Sequence, residues 1–181
     1  MSELHLLGIC GSLRQASANA GLLRAAQMVL PAGVTMSIAE LGEVPFYNSD
    51  IKTKPEAVTR LLAGVQSAHA LVLASPEYNY SIAPALKNAL DWASREPENR
   101  LLSGKAVAIM GAGGGMGTSR AQYHLRQVCV CLNLHVLNQP EVFVNAFTGN
   151  FDEQGNVQSD KVRDQLAAQM QALVDLTRKL N

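Results

Sequence analysis

Leu4-His-Leu-Leu-Gly-Ile-Cys-Gly-Ser-Leu-Arg-Gln-Ala-Ser-Ala-Asn19 is the stretch from which the fold can be read. Its first six residues form a short apolar run that stops at a Gly/Ser turn, the pattern of a buried strand. Helical spacing follows at once: Leu22, Leu23, Ala26, Val29 and Leu30 recur on one side of a segment from Asn19 to Leu30. A strand that turns directly into a helix is the first half of a βαβ unit. The turn between them, Gly11 to Asn19, then lies at the carboxyl end of the strand.

Working outward, the alternation repeats. Val34 to Ile38 reads as a second strand, and residues 42–54 as a loop rich in turn formers. Pro55 opens a helix, a position proline favours, with Val58, Leu61, Leu62 and Val65 on its core side. Ala70 to Ala74 is apolar on both faces, as central parallel strands are. Pro84 to Ala93 is helical, Ala106 to Met110 a strand, and Thr118 to Leu132 a helix. A fifth strand is expected near His135–Leu137, resuming around Val142–Val144. The last helix carries Val162, Leu166, Met170, Leu173, Thr177 and Leu180 on one side. These units predict an α/β fold: one domain over 1–181, a doubly wound parallel sheet with helices on both faces.

Bulk composition narrows the function classes. The 181 residues are 48% hydrophobic and 17% charged, enough for a packed core that buries about 70% of the unfolded surface. Fifteen basic residues balance fifteen acidic ones, so no broad field draws the chain to nucleic acid or a membrane. No signal-peptide pattern opens the sequence, and no apolar run approaches the roughly 20 residues that span a bilayer. Three cysteines, Cys10, Cys129 and Cys131, form no C-x-x-C pair and argue against a disulfide framework. Cys129 and Cys131 are expected to be buried, inert thiols. The histidines cluster neither with one another nor with cysteine, so no metal site is expected. A cytoplasmic location follows as the expectation.

Ligands of open α/β sheets sit outside the carboxyl ends of the strands, so three loops matter. In Gly11–Asn19, the start of a helix offers free N–H groups and a favourable dipole. Ser12 and Ser17 add hydroxyls, Arg14 a guanidinium and Asn19 an amide. The loop lacks the G-x-x-x-x-G-K-[ST] and G-x-G-x-x-G patterns, which leaves a monophosphate as its natural anion. A plain helix cap beside a surface arginine is the bland alternative. The loop Ser75-Pro-Glu-Tyr-Asn-Tyr-Ser-Ile-Ala-Pro84 is stiffened at both ends by proline. Its residues Pro76, Glu77, Tyr78, Asn79, Tyr80 and Ser81 suit the edge of a planar ring, or equally a structural turn with two surface tyrosines. Gly111–Gly117 holds five glycines in seven residues. Glycine there permits close approach of backbone to a ligand, with Gly111, Gly113, Gly114 and Gly115 as candidates; a flexible turn is the alternative. A dinucleotide fingerprint fails, because Met116 stands where glycine is needed and no acid lies near position 137, about 20 residues on.

Taken together, the loops show a resemblance. Gly11-Ser-Leu-Arg14 with Ser17 and Asn19, and Pro76-Glu-Tyr-Asn-Tyr-Ser81 followed by Leu86-Lys-Asn-Ala-Leu-Asp-Trp92, resemble the NADPH-dependent FMN reductase family and its chromate, quinone and azo-dye reductases. The likeness runs from about Leu4 to Glu141. It implies a flavodoxin-like sheet of order 2-1-3-4-5, bound FMN, and NADPH or NADH as electron donor. It implies small-molecule acceptors reduced in two steps at one flavin face, and a homodimer or dimer of dimers formed through the third and fourth helices; Trp92 reads as an anchor of that interface or, alternatively, as an intramolecular core residue. The chemistry is FMN's, so no catalytic side chain is expected. The glycine loop departs from the family, which often carries serine there. A one-electron carrier is disfavoured by the zero net charge, since such carriers tend to be acidic; a non-catalytic flavin-binding module is the other alternative.

Overall fold

The computed structural model describes residues 3–180. β1 (Leu4–Cys10) alternates its side chains between two cores, as a strand buried on both faces must. Leu4, Leu6 and Cys10 face one core, and Leu7 and Ile9 the other. The first core is closed by α1 (Ala18–Met28) and the long α5 (Asp160–Leu180), through Leu22, Leu23, Ala26, Leu166, Met170 and Leu173. The second is closed by α2 (Glu56–Ser67), α3 (Pro84–Ser94) and α4 (Ser119–Cys131), through Val58, Leu61, Leu86, Leu90 and Leu125. Completely burying each such leucine or valine contributes roughly 1.5–3 kcal/mol before entropy is charged.

Between the layers, β2 (Val34–Ala39), β1, β3 (Ala70–Ala74) and β6 (Ala106–Gly113) pair in parallel, in that order. The fifth position is shared by β7 (His135–Val136) and β8 (Val142–Asn145), which pair with successive parts of β6 across a gap that includes a cis Gln139–Pro140 bond. Counting the interrupted strand as one, the order is the expected 2-1-3-4-5.

Two expectations change, and one alternative is decided. β6 continues past Met110 to Gly113 because β8 supplies a partner there, Met110 to Gly113 lying opposite Val142 to Asn145. Two of the expected loop glycines are therefore strand residues. The loop after β3 contains a small hairpin, β4 (Glu77–Tyr78) and β5 (Ser81–Ile82). Its two linking residues, Asn79 and Tyr80, have φ of 50° and 67°, the positive pair that tight hairpin turns use. Finally, of the two readings of Trp92, interface anchor or core residue, the second holds. It is 4% exposed, its Nε1 donates to the Pro45 carbonyl at 2.8 Å, and Tyr47 meets it edge-on with centroids 5.1 Å apart.

Candidate functional site

The parallel topology brings the carboxyl ends of β1, β3 and β6 to one edge, and there a cleft of about 420 Å³ opens. One wall is the turn into α1. Ser17 caps this helix, its Oγ accepting from the Ala20 N–H at 3.2 Å. The cap fixes where the helix begins and so where its first free N–H groups point. Ser12 lies half-buried on this wall, whereas Arg14 is exposed and, among the described residues, has no carboxylate or hydrogen-bond partner. The guanidinium is available to an incoming anion.

The opposite wall is the end of β6. Ala112, Gly113 and Gly114 line it. The glycines there serve different ends. A Cβ on Gly111 would sit 1.9 Å from Thr118 Oγ1 and 2.6 Å from the Ser75 carbonyl, so this residue is glycine for packing. Gly111 does not line the cleft. On Gly113 a Cβ would meet the Gly117 carbonyl at 2.4 Å, which the turn closed by Gly117 N–H to Gly114 O at 2.8 Å requires. Among the described residues, no atom other than those of the adjoining residues in the chain lies within 4 Å of where a Cβ on Gly114 or Gly115 would stand. Their backbones border open space.

Pro76, Glu77 and Tyr78 form the third side. Beyond them Asn79, Tyr80 and Gly115 line an adjoining depression of about 440 Å³, which shares Glu77 and Gly114 with the cleft. Ser81 lines neither and lies 3.3 Å from His124 Nδ1. Glu77 is turned inward. Its carboxylate pairs with Arg120 at 2.5 Å and accepts from the Ala121 N–H at 3.2 Å, capping α4 from 44 residues away. Arg120 in turn stacks over the Tyr80 ring, 3.7 Å from its centroid. This contact holds a tyrosine at positive φ, a strained conformation for a bulky residue.

Asn19 lines the cleft, but its amide is already engaged. Nδ2 donates to the Ala112 carbonyl and Oδ1 accepts from the Ala112 N–H, each at 2.9 Å, with the residue 4% exposed.

Sequence reading missed the fourth side, formed by Ala146, Phe147, Phe151, Asp152, Glu153 and Gly155. This segment packs so closely on α1 that a Cβ on Gly21 would overlap the Gly155 carbonyl at 1.7 Å. Arg24 ties it down through Asn156 Oδ1 at 3.0 and 2.7 Å. The Asp152 carboxyl is held below its usual range, chiefly by the Asn156 N–H. Glycine inside a helix at Gly21 was the available signal for a close backbone approach.

The cysteines split. Burial pushes the Cys10 thiol up, and that of Cys129 up to about 12, so both are inert at neutral pH. Cys131, expected to be buried, is exposed at the end of α4, because the turn that buries Cys129 carries its second neighbour outward. Among the described residues no group of histidine, cysteine or acidic side chains could hold a metal. Arg95 lies over the Tyr47 ring at 5.3 Å, and Arg100 and Lys105 line a cavity at the other edge of the sheet.

Comparison with known proteins agrees with this geometry. Residues 4–149 match the family model described as NADPH-dependent FMN reductase. The chain is 46% identical to an NAD(P)H-dependent FMN reductase of Pseudomonas aeruginosa, over 98% of this chain and 97% of that one. It is 42% identical to an NAD(P)H:quinone oxidoreductase of Solanum tuberosum, over 98% and 94%. Among solved structures, the flavoenzyme NAD(P)H:(acceptor) oxidoreductase FerB of Paracoccus denitrificans superposes with a TM-score of 0.87 at 28% identity, covering 97% of this chain and 98% of that one. By its sequence, its sheet order and the placing of its cleft, the chain belongs to the NADPH-dependent FMN reductase family.

Proposed function

We propose that the chain is an NAD(P)H-dependent FMN oxidoreductase, and that the cleft at the carboxyl edge of the sheet holds the flavin and serves quinone-type acceptors. One observation carries the reading: a helix N-terminus with a free arginine faces, across a single cleft, the glycine that follows the end of β6, Gly114, whose backbone borders open space. That donor set suits a molecule with one phosphate and a flat polar ring. Ser12, Arg14 and the first amides of α1 would take the phosphate. The amides of Gly114 and Gly115, just past the end of β6, would meet the polar edge of the ring, with Pro76, Tyr78, Asn79 and Tyr80 along its flank.

When bound, FMN supplies the hydride chemistry, accepting from the nicotinamide and donating to the acceptor. The residues' task is to bind, to orient and to offer preorganised N–H groups where negative charge gathers. Tyr78 and Tyr80 are 43% and 64% exposed, which leaves an open mouth and supports loose acceptor specificity for quinones, azo dyes, chromate or free flavin. Donor and acceptor sharing that mouth would have to come in turn.

The test is direct. Chromophore released by heat from the purified protein should run as FMN, and turnover of NADH or NADPH with benzoquinone should give parallel double-reciprocal plots. Recovery of FAD, or intersecting plots, would contradict the reading.

The same reading includes a homodimer. Tyr123 and Val130, 61% and 78% exposed, lie two turns apart on α4, and Met116 at 60% stands at its entry. An apolar stripe of this kind suits a partner helix. Sedimentation at micromolar concentration should show a dimer or a dimer of dimers; monomer alone would remove this part. We place the enzyme in the cytoplasm, with three free thiols in support. No helix among the described residues is long and apolar enough to cross a membrane.

A further inference from the structure

β3 pairs with β6 only as far as Ala74 opposite Met110, and then turns away toward the hairpin; its last backbone contact is the Ser75 N–H to the Met110 carbonyl at 3.1 Å. From there on, among the described residues, β6 has β8 on one side and no strand on the other. Ala112 is the first residue past that point whose N–H and C=O face the missing neighbour. Both are satisfied by one side chain, the Asn19 amide, which returns a donor and an acceptor as a peptide group would. The pair is buried and 93 residues apart in sequence. It also joins the two walls of the cleft, since Asn19 stands in the first turn of α1 and Ala112 immediately precedes Gly113 and Gly114.

We propose that Asn19 is a positioning residue for the ring end of the cleft. Its amide stands in for the absent strand and holds Ala112–Gly114 at a fixed place relative to α1, so that the amides meeting the ring are already ordered when the flavin arrives. Asn19 thus acts on the ring rather than on the phosphate. Both backbone groups of Ala112 are buried, and leaving them unpaired is what releases the segment. The ligand half of this proposal rests on the FMN reading; the clamp itself does not.

Three measurements separate the possibilities. In ligand-free protein, amide exchange at Ala112 should be slow in wild type and roughly 10- to 100-fold faster in Asn19→Ala. Affinities for FMN and riboflavin should fall by the same factor, about tenfold. Asn19→Asp supplies a conservative rescue. A protonated carboxyl can donate to the Ala112 carbonyl and accept from its N–H, whereas the ionised form turns a second acceptor on the carbonyl; burial raises its pKa. Riboflavin binding to Asn19→Asp should therefore be near wild type at about pH 5 and weak at about pH 8, against a flat wild-type profile.

A loss much greater for FMN than for riboflavin would make Asn19 a phosphate ligand and overturn the proposal. A lowered melting temperature with riboflavin affinity unchanged would reduce it to a structural residue. Unchanged exchange at Ala112 would overturn the clamp whatever the flavin does. Wild-type protein that binds no flavin would end the functional reading and the ligand half with it, while the exchange result would still decide the clamp.

Discussion

Two openings of similar size lie at opposite edges of the sheet, about 460 Å³ beside Gln66, His69, Arg100 and Lys105, and about 420 Å³ beside Ser12, Arg14 and Gly114. The first has more cationic side chains, yet it is the poorer anion site. In a parallel sheet every crossover helix begins at the carboxyl edge and ends at the other, so the two edges carry opposite ends of the helix dipoles. At the amino edge the cations already have partners: Lys105 Nζ donates to the Ala68 carbonyl that ends α2, and Arg100 lies 3.4 Å from the Glu96 carboxylate. His69 Nδ1 accepts from the His5 N–H at 3.0 Å. At the carboxyl edge the backbone itself supplies donors, and one free arginine suffices. Topology, not the count of charges, chooses the site.

The comparison can be broken most severely at Gly114. Its backbone does not need positive φ, and among the described residues nothing beyond its chain neighbours lies within 4 Å of a Cβ, so Gly114→Val should fold normally while projecting into the cleft. Flavin affinity should drop by roughly 100-fold or more, with little change in melting temperature. Equal affinity in the variant would mean that the flavin does not approach this backbone.

Arg14→Ala comes next. A charge-assisted hydrogen bond contributes about 1.5–3 kcal/mol, so FMN should weaken by roughly 10- to 150-fold. Riboflavin, which lacks the phosphate, should hardly change. Equal losses for both would assign Arg14 to the ring or to the loop.

The smallest effect belongs to the amino edge. Lys105→Met should leave flavin affinity unaltered. It should change how stability follows pH, because burial lowers the pKa of Lys105 below its ordinary value. Between that lowered pKa and the unfolded one the unfolded chain binds more protons, so wild-type stability gains as pH rises through this window. Thermal melts of the variant should lack that gain. Loss of FMN on changing Lys105 would reverse the choice between the edges.

How much was legible in the sequence follows the range of the interactions. The start of α1 was readable because Ser17, the helical spacing after it and the dipole are all local to one turn. So were the two-faced strands, whose unbroken apolar runs are written in consecutive residues. The extension of β6 was not, since Gly111 to Gly113 are strand only by virtue of β8, some thirty residues later. Nor was the hairpin at Asn79-Tyr80, because tyrosine at positive φ is held by Arg120 from α4 and not by turn chemistry. The wall from Ala146 to Gly155 depends on Gly21 meeting Gly155 across the fold. Glycine-rich composition marked the right segment of chain, but only the surroundings show which glycine packs, which closes a turn and which borders open space.

Amide chemical shifts recorded during titration with FMN test the choice of edge most directly. The account predicts saturable changes at one equivalent, concentrated on residues 12–19, 76–80 and 112–115, with Gln66 to His69 and Ser103 to Ala106 undisturbed. Changes centred on the amino edge, or none at any FMN concentration, would contradict it.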